Sequence, residues 1–387
     1  MTVRVPVATA GETRLRRAYG FEEVALVPGA VTADPGEVDL ATEIGGHRLE
    51  IPFIAAAMDA VADADFAVRM HGHGGLAFVN LEGLYTRYED AAPIIERVAA
   101  AESAQAAGAI LADAYAEPIH DELIAALITR IKAQGAVAAV ATTPASAWHH
   151  AEIAAEAGAD LFLVQSQVSS ARHISTSTRV LSLADLTGGL HVPVLVGNTV
   201  SGEAAYQLMH QGAAAILVGV GPGAACTTRE VLGIGVPQVS ATLEVAAARD
   251  RFADETGRYV PVITDGGMKT GGDIAKAIAS GADAVMLGSP FAAATEAPGH
   301  GFSWGMAAPS ATLPRGTRIR IGERLPLEQI LFGPSATQHG TQNLVGALRQ
   351  SMAALGARTI RDMHQVEMVI APAIVTEGKS WQLAGRE

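Results

Sequence analysis

Short, nearly uninterrupted apolar runs recur along the chain, most of them preceded by Gly-Ala or Gly-Gly and closed by small or polar residues. They cover 51–58, 75–80, 136–142, 160–165, 192–198, 214–220, 259–265 and 283–289. Continuous rather than alternating apolar runs of this length fit strands covered on both faces, as in parallel sheets. Helical spacing fills most of the intervals. In one interval Ile274, Ala277 and Ile278 share a face, Asp273 stands as a candidate N-cap, and Gly281 ends the pattern. Shorter patterns at 204–210 and 153–157 stop before Gly212 and Gly158. Eight such alternations predict an α/β fold, a (β/α)8 barrel forming a single domain over 1–387; a doubly wound open sheet is the alternative.

The alternation loosens twice. Residues 81–135 are rich in Ala, Glu and Ile and read as helical, while 297–341 are rich in Gly, Pro, Ser and Thr. The second stretch reads as a long excursion at the site, since barrel enzymes place lids and site loops in such segments. A helix is expected again over 343–355, followed by a C-terminal tail, 369–387, extended over 369–379.

Composition narrows the class. Hydrophobic residues make up 49% and charged residues 17%, which suits a globular chain with a large core. The net charge of −13 has the wrong sign for a protein held by phosphate backbones, so no nucleic-acid partner is expected. No apolar run reaches the roughly 18 residues of a membrane span, and the first residues, Met1 to Pro6, form no apolar leader. A single cysteine excludes an internal disulfide framework and suits a reducing compartment. A cytoplasmic enzyme is the expectation.

That cysteine is the first chemical candidate. Cys226 lies in Gly221-Pro222-Gly223-Ala224-Ala225-Cys226-Thr227-Thr228-Arg229, directly after the sixth run. A glycine-rich loop at a strand exit builds no core and offers exposure and backbone N–H groups that favour the nucleophilic thiolate; a buried structural cysteine is the competing reading. In a barrel the chemistry gathers at the C-terminal strand ends. Those ends carry Met58 and Asp59, Asn80, Thr142 and Thr143, Gln165 and Ser166, Asn198, Asp265-Gly266-Gly267, and Gly288-Ser289. The last two groups follow the seventh and eighth strands, where barrels bind phosphate through backbone N–H groups. Asp265 would stand beside a phosphate-linked sugar and accept from its hydroxyls; a turn-forming Asp-Gly is the other reading.

In these segments the chain resembles the IMP dehydrogenase/GMP reductase family. The likeness extends to Ala56-Ala57-Met58-Asp59, Val196-Gly197-Asn198, Ile263-Thr264-Asp265-Gly266-Gly267 and Val285-Met286-Leu287-Gly288-Ser289, in order from about residue 18 to 378. It is similar to the short branch called IMP dehydrogenase-related. Long members insert a paired CBS module, for which 98–132 is too short.

The resemblance implies a purine nucleoside monophosphate with Cys226 attacking C2 of the base, hydride transfer to NAD, and hydrolysis of the thioimidate to XMP. Thr228 matches the threonine that handles the water. Asp265 matches the ribose ligand, and Gly266, Gly267, Gly288 and Ser289 match the phosphate turns. Met58, Asn198, Gly305 and Met306 match pocket and base contacts, and Gln165, Ser166 and Asn198 match cofactor contacts. Main-chain carbonyls of Gly221, Gly223 and Cys226, completed by Glu377 and Gly378 of a neighbouring subunit, match a monovalent-cation (K+) site. A homotetramer or octamer follows from that sharing.

Three positions depart from the pattern. Ala224 stands where the family has serine, removing a phosphate hydrogen bond; Gln165 replaces the cofactor-side aspartate; and 313–318 lacks the Arg-Tyr pair of the flap, leaving Arg315 or Arg318 to orient water. Two alternatives accompany IMP oxidation. One is a GMP reductase using NADPH, for which Glu323 and Glu328 lack the expected setting. The other is a silent purine-nucleotide binder. His71, His73, His149 and His150 lack the companions of a metal site and read as solvated or capping histidines.

Overall fold

The computed structural model describes residues 15–174, 181–223, 226, 228–305 and 318–371. Eight parallel strands close a barrel. They are β1 (Phe53–Ala55), β2 (Leu76–Asn80), β3 (Ala139–Thr142), β4 (Leu161–Gln165), β5 (Val194–Thr199), β6 (Ala215–Val218), β7 (Val262–Asp265) and β8 (Ala284–Leu287). Each lies within or overlaps one of the eight apolar runs. Closure is made by β8 on β1, with Val285, Met286 and Leu287 opposite Phe53, Ile54 and Ala55.

Both faces of the strands are buried, which explains the unbroken apolar runs. One layer fills the barrel interior, with Ile54, Phe78, Leu163, Leu195, Leu217 and Met286 among its members. The other lies between barrel and helices and includes Phe53, Val79, Phe162, Val196 and Val285. The barrel floor is closed by a hairpin the sequence pattern does not announce, Thr42–Ile44 paired with His47–Leu49. Its Ile44 and Leu49 join the interior layer. The turn glycine Gly45 has φ +57°, and a Cβ there would fall 2.5 Å from Leu161.

The outer helices are α1 (Ala64–Gly72), α2 (Asp121–Lys132), α3 (Ala147–Glu156), α4 (Leu183–Gly189), α5 (Gly202–His210), α6 (Gln238–Thr256), α7 (Gly271–Ala279) and α8 (Leu344–Ala354). The expected cap of α7 is corrected. Thr270 is the N-cap and Asp273 its reciprocal partner, closing a capping box. Between β2 and α2 lie two more helices, Ala92–Ala100 and Ala104–Ala114, so the interval before β3 is helical as its composition predicts. The expected excursion after β8 carries an antiparallel pair, Phe302–Ser303 with Ile319–Arg320, and a helix, Leu327–Phe332. The extended tail begins as expected: Met368–Ile370 pairs antiparallel with Val24–Leu26. No helix among the described residues is long and apolar enough to cross a membrane.

Candidate active site

The thiol is presented rather than packed. Cys226 is free and exposed, and its Sγ lies 3.2 Å from Thr228 Oγ1. Thr228 is buried and opens a short helix, Thr228–Leu232. The loop is held by Arg229, whose side chain folds back to donate to the carbonyls of Val220 at 3.1 Å and Val236 at 2.9 Å. This fold requires Gly221, at φ +70°, because a Cβ there would fall 2.7 Å from Arg229 Cγ. Within the loop Cys226 N donates to Gly223 O at 3.0 Å.

The cysteine loop rests on the turn after β7. A Cβ on Gly266 or Gly267 would meet Pro222 at 3.3 Å and 3.2 Å, and both glycines have positive φ. Gln238, at the start of α6, ties the two strand ends together through Nε2, which donates to Val218 O at 3.2 Å and Asp265 O at 2.9 Å. Sequence reading missed this glutamine because nothing near it in the chain signals its partners. Met58 lies against the turn after β8, where a Cβ on Gly288 would sit 3.3 Å from its Sδ. Ser289 opens a four-residue helix capped by Gly288.

Three expected residues form one polar network at the ends of β4, β5 and β7. Asn198 donates to Asp265 Oδ2 at 2.6 Å, while Gln165 Nε2 donates to Asn198 Oδ1 at 2.9 Å and to Asp265 Oδ2 at 3.2 Å. Among the described residues Gln165 Oε1 is buried without a partner, an acceptor lacking a donor. Burial pushes the Asp265 carboxyl up to about 6, against the opposing hydrogen bond from Asn198. Ser166 is held by main-chain exchange with Gly197 and Asn198, and its hydroxyl lies 3.0 Å from that of Ser169.

A second polar group at the rim of β2 and β3 gathers the expected Thr142 and Thr143 around Glu82, which the sequence reading did not name. Glu82 accepts from Thr142 Oγ1 at 2.9 Å, Thr143 N at 3.0 Å and Thr143 Oγ1 at 2.7 Å. Burial pushes its carboxyl upward, but these bonds together with Ser146 hold it below the ordinary value. Thr142 Oγ1 also lies 2.8 Å from His150 Nδ1. Having given its single proton to Glu82, the hydroxyl accepts from Nδ1–H. This corrects the expected solvated or capping histidine: His150 is buried, and burial lowers its pKa.

Arg318 is also corrected. Its guanidinium donates to the carbonyls of Val98, Ala99 and Ala101 at the end of helix Ala92–Ala100, so those donors are committed to a helix terminus and not to water. Gly305 follows the buried Trp304. The remaining expected residues, Ala224, Met306, Arg315, Glu377 and Gly378, lie outside the described residues, as does most of the extended tail. Among the described residues no group of three or more His, Cys, Asp or Glu side chains is placed to hold a metal. The main-chain carbonyls of Gly221, Gly223 and Cys226 share the cysteine loop, with that of Gly223 already accepting one bond.

A family model described as IMP dehydrogenase / GMP reductase domain matches residues 18–308. An uncharacterized oxidoreductase of Mycolicibacterium smegmatis is 39% identical, covering 92% of this chain and 97% of its own length. An inosine-5'-monophosphate dehydrogenase of Cryptosporidium parvum is 27% identical over 91% of this chain and 92% of its own. A crystal structure of an IMP dehydrogenase/GMP reductase-like protein from Corynebacterium glutamicum superposes with a TM-score of 0.88 at 35% identity, covering 94% of this chain and 97% of that one.

Proposed function

The chain belongs to the IMP dehydrogenase/GMP reductase family of oxidoreductases, and on that premise we propose that it oxidises IMP to XMP with NAD+ through a covalent adduct on Cys226. The observation that carries this reading is the exposed thiol beside the Thr228 hydroxyl, seated on the Asp265-Gly266-Gly267 turn. A core cysteine needs neither exposure nor a hydroxyl partner.

The purine monophosphate lies with its phosphate at the turns after β7 and β8, its ribose hydroxyls on the Asp265 carboxylate, and C2 of the base over Sγ. The thiolate adds to C2, and a hydride leaves that carbon with its electron pair. Bound NAD+ supplies the hydride acceptor. Water then adds to the thioimidate carbon, gives up a proton, and Sγ leaves as thiolate. The sum is IMP, NAD+ and water giving XMP, NADH and a proton. Splitting an oxidation into addition and hydrolysis lowers each barrier. The 3.2 Å between Thr228 Oγ1 and Sγ supports a role for this hydroxyl in passing the proton.

The side chains that would hold the dinucleotide are Gln165, Ser166 and Asn198. Gln165 Oε1, buried and unpartnered, suits a ribose hydroxyl donor as an aspartate oxygen would. A monovalent cation on the Gly221, Gly223 and Cys226 carbonyls and a homotetramer or octamer belong to the same proposal.

Steady-state assays with IMP plus NAD+ and with GMP plus NADPH test it. Turnover of the first pair is expected; turnover of the second alone would replace the reading with a reductase. Tight nucleotide binding with no turnover of either pair would leave a binder.

A further inference from the structure

The segment between β2 and α2 grips the excursion after β8 from two sides. Helix Ala92–Ala100 ends on Arg318, which precedes the second strand of the Phe302–Ser303/Ile319–Arg320 pair. Arg318 Nη1 donates to Val98 O at 2.6 Å and Ala99 O at 2.8 Å, and Nη2 to Ala101 O at 2.9 Å. Carbonyls at a helix end have no partner within the helix, and a cation is favoured there. The guanidinium also lies 4.1 Å from the Phe302 ring centroid, so one side chain fastens both strands.

Helix Ala104–Ala114 ends on Tyr115, its C-cap. The Tyr115 hydroxyl accepts from Trp304 Nε1 at 3.1 Å and donates to Asp59 Oδ2 at 2.7 Å. Trp304 is buried among Ile95, Val98, Leu111 and Ala114 of the same two helices. Asp59 is fully enclosed: Leu84 N donates to it at 2.8 Å, and a Cβ on Gly83 would fall 1.9 Å from Oδ1. Among the described residues Oδ1 is left without a hydrogen bond of its own, and burial raises this carboxyl's pKa against the bonds from Tyr115, Leu84 and Asn80. A buried carboxyl costs stability that an apolar residue would not, which favours a reason beyond packing.

The reason lies in the neighbours. Met58 directly precedes Asp59, and Gly305 directly follows Trp304. Met58 is expected to line the nucleotide pocket and Gly305 to meet the base, and one hydroxyl ties their chain segments together. We infer that Tyr115 and Arg318 are positioning residues for the reaction, acting through Asp59 and the strand pair to set where the purine ring stands relative to Cys226. This deepens the functional reading above and rests on a purine held over that thiol.

The test uses Tyr115→Phe, Arg318→Met and Arg318→Lys in the full-length protein. Phosphate and ribose contacts lie elsewhere, so KM for IMP should stay within about twofold while kcat falls about tenfold. First-order labelling of Cys226 by a saturating 6-chloropurine ribonucleotide should slow in parallel, and Arg318→Lys should recover part of the loss. Because Tyr115→Phe keeps the ring, its thermal unfolding midpoint checks that it folds. A folded Tyr115→Phe with unchanged kcat and labelling rate would overturn the inference and leave the helices a purely structural role. If the unaltered protein neither turned over nor took the label, the functional reading would fall first and the inference with it.

Discussion

Asn198 donates its side-chain amide to Asp265 Oδ2 at 2.6 Å, a bond that spans β6, the strand leading into the cysteine loop. It holds the carboxylate on the side of the barrel where the thiol is presented. Since burial pushes the Asp265 carboxyl up to about 6, roughly a tenth of it is protonated at pH 7. The raised value means the folded protein holds this proton more tightly than the unfolded chain. Its contribution to stability is therefore greatest below the ordinary carboxyl range and is lost as pH rises through about 6. On the proposed reading ligand binding runs the other way, because ribose hydroxyls would need the ionised acceptor. KM for IMP is expected to climb as pH falls below 6, and Asp265→Asn should raise KM at pH 7 and flatten that rise. A wild-type KM constant from pH 5 to 8 would contradict this.

Gln165 shares the Asp265 oxygen through a neutral amide. Gln165→Glu would place a second acid beside a carboxyl that is already reluctant to ionise, and such a pair retains a proton to higher pH. The pH at which nucleotide affinity falls is expected to move upward by about one unit or more. Calorimetric titration with IMP at several pH values reads the shift, and an unmoved profile would count against the network.

Cys226→Ala should abolish turnover, by about a thousandfold or more, while nucleotide binding survives, since on the proposed reading Sγ supplies chemistry rather than affinity. Thr228→Val keeps the shape but removes the hydroxyl 3.2 Å away, and is expected to lower kcat by about ten- to a hundredfold. Rapid-quench measurement of the covalent adduct distinguishes the two variants: no adduct forms in Cys226→Ala, whereas it accumulates in Thr228→Val.

At the opposite end of the barrel, Asp283 accepts from Arg249 at 3.1 Å, Tyr259 at 2.7 Å and Val262 N at 2.8 Å, with both charged side chains almost wholly buried. Asp283→Ala leaves the guanidinium without its buried partner and should cost about 3–5 kcal/mol of stability. Denaturant unfolding measures this, and kcat of the folded fraction should be unchanged because the strand floor touches no reacting atom.

The local signals were legible for local reasons. Eight apolar runs read as eight barrel strands because both strand faces are covered, and that condition is written into each run separately. The exposed thiol followed from glycines and proline that cannot build a core around Cys226. The floor hairpin at Thr42–Leu49 was not legible, since two three-residue strands make no periodic signal. Arg318 was read as a water-orienting flap arginine because it falls at the flap position of the family pattern, and only the fold shows its three carbonyl partners.

Strand positions along the chain, the thiol's placement at a strand exit and the turn after β7 were thus set by residues adjacent in the chain, whose conformational preferences act over a few bonds. Which side chains share protons was decided only on folding. Gln165 and Asp265 are 100 positions apart, and Arg318 and Val98 are 220 apart. A hydrogen bond is satisfied within about 3 Å and carries no trace along the backbone between its partners, so closure of the barrel had to bring those groups together before their roles could be read.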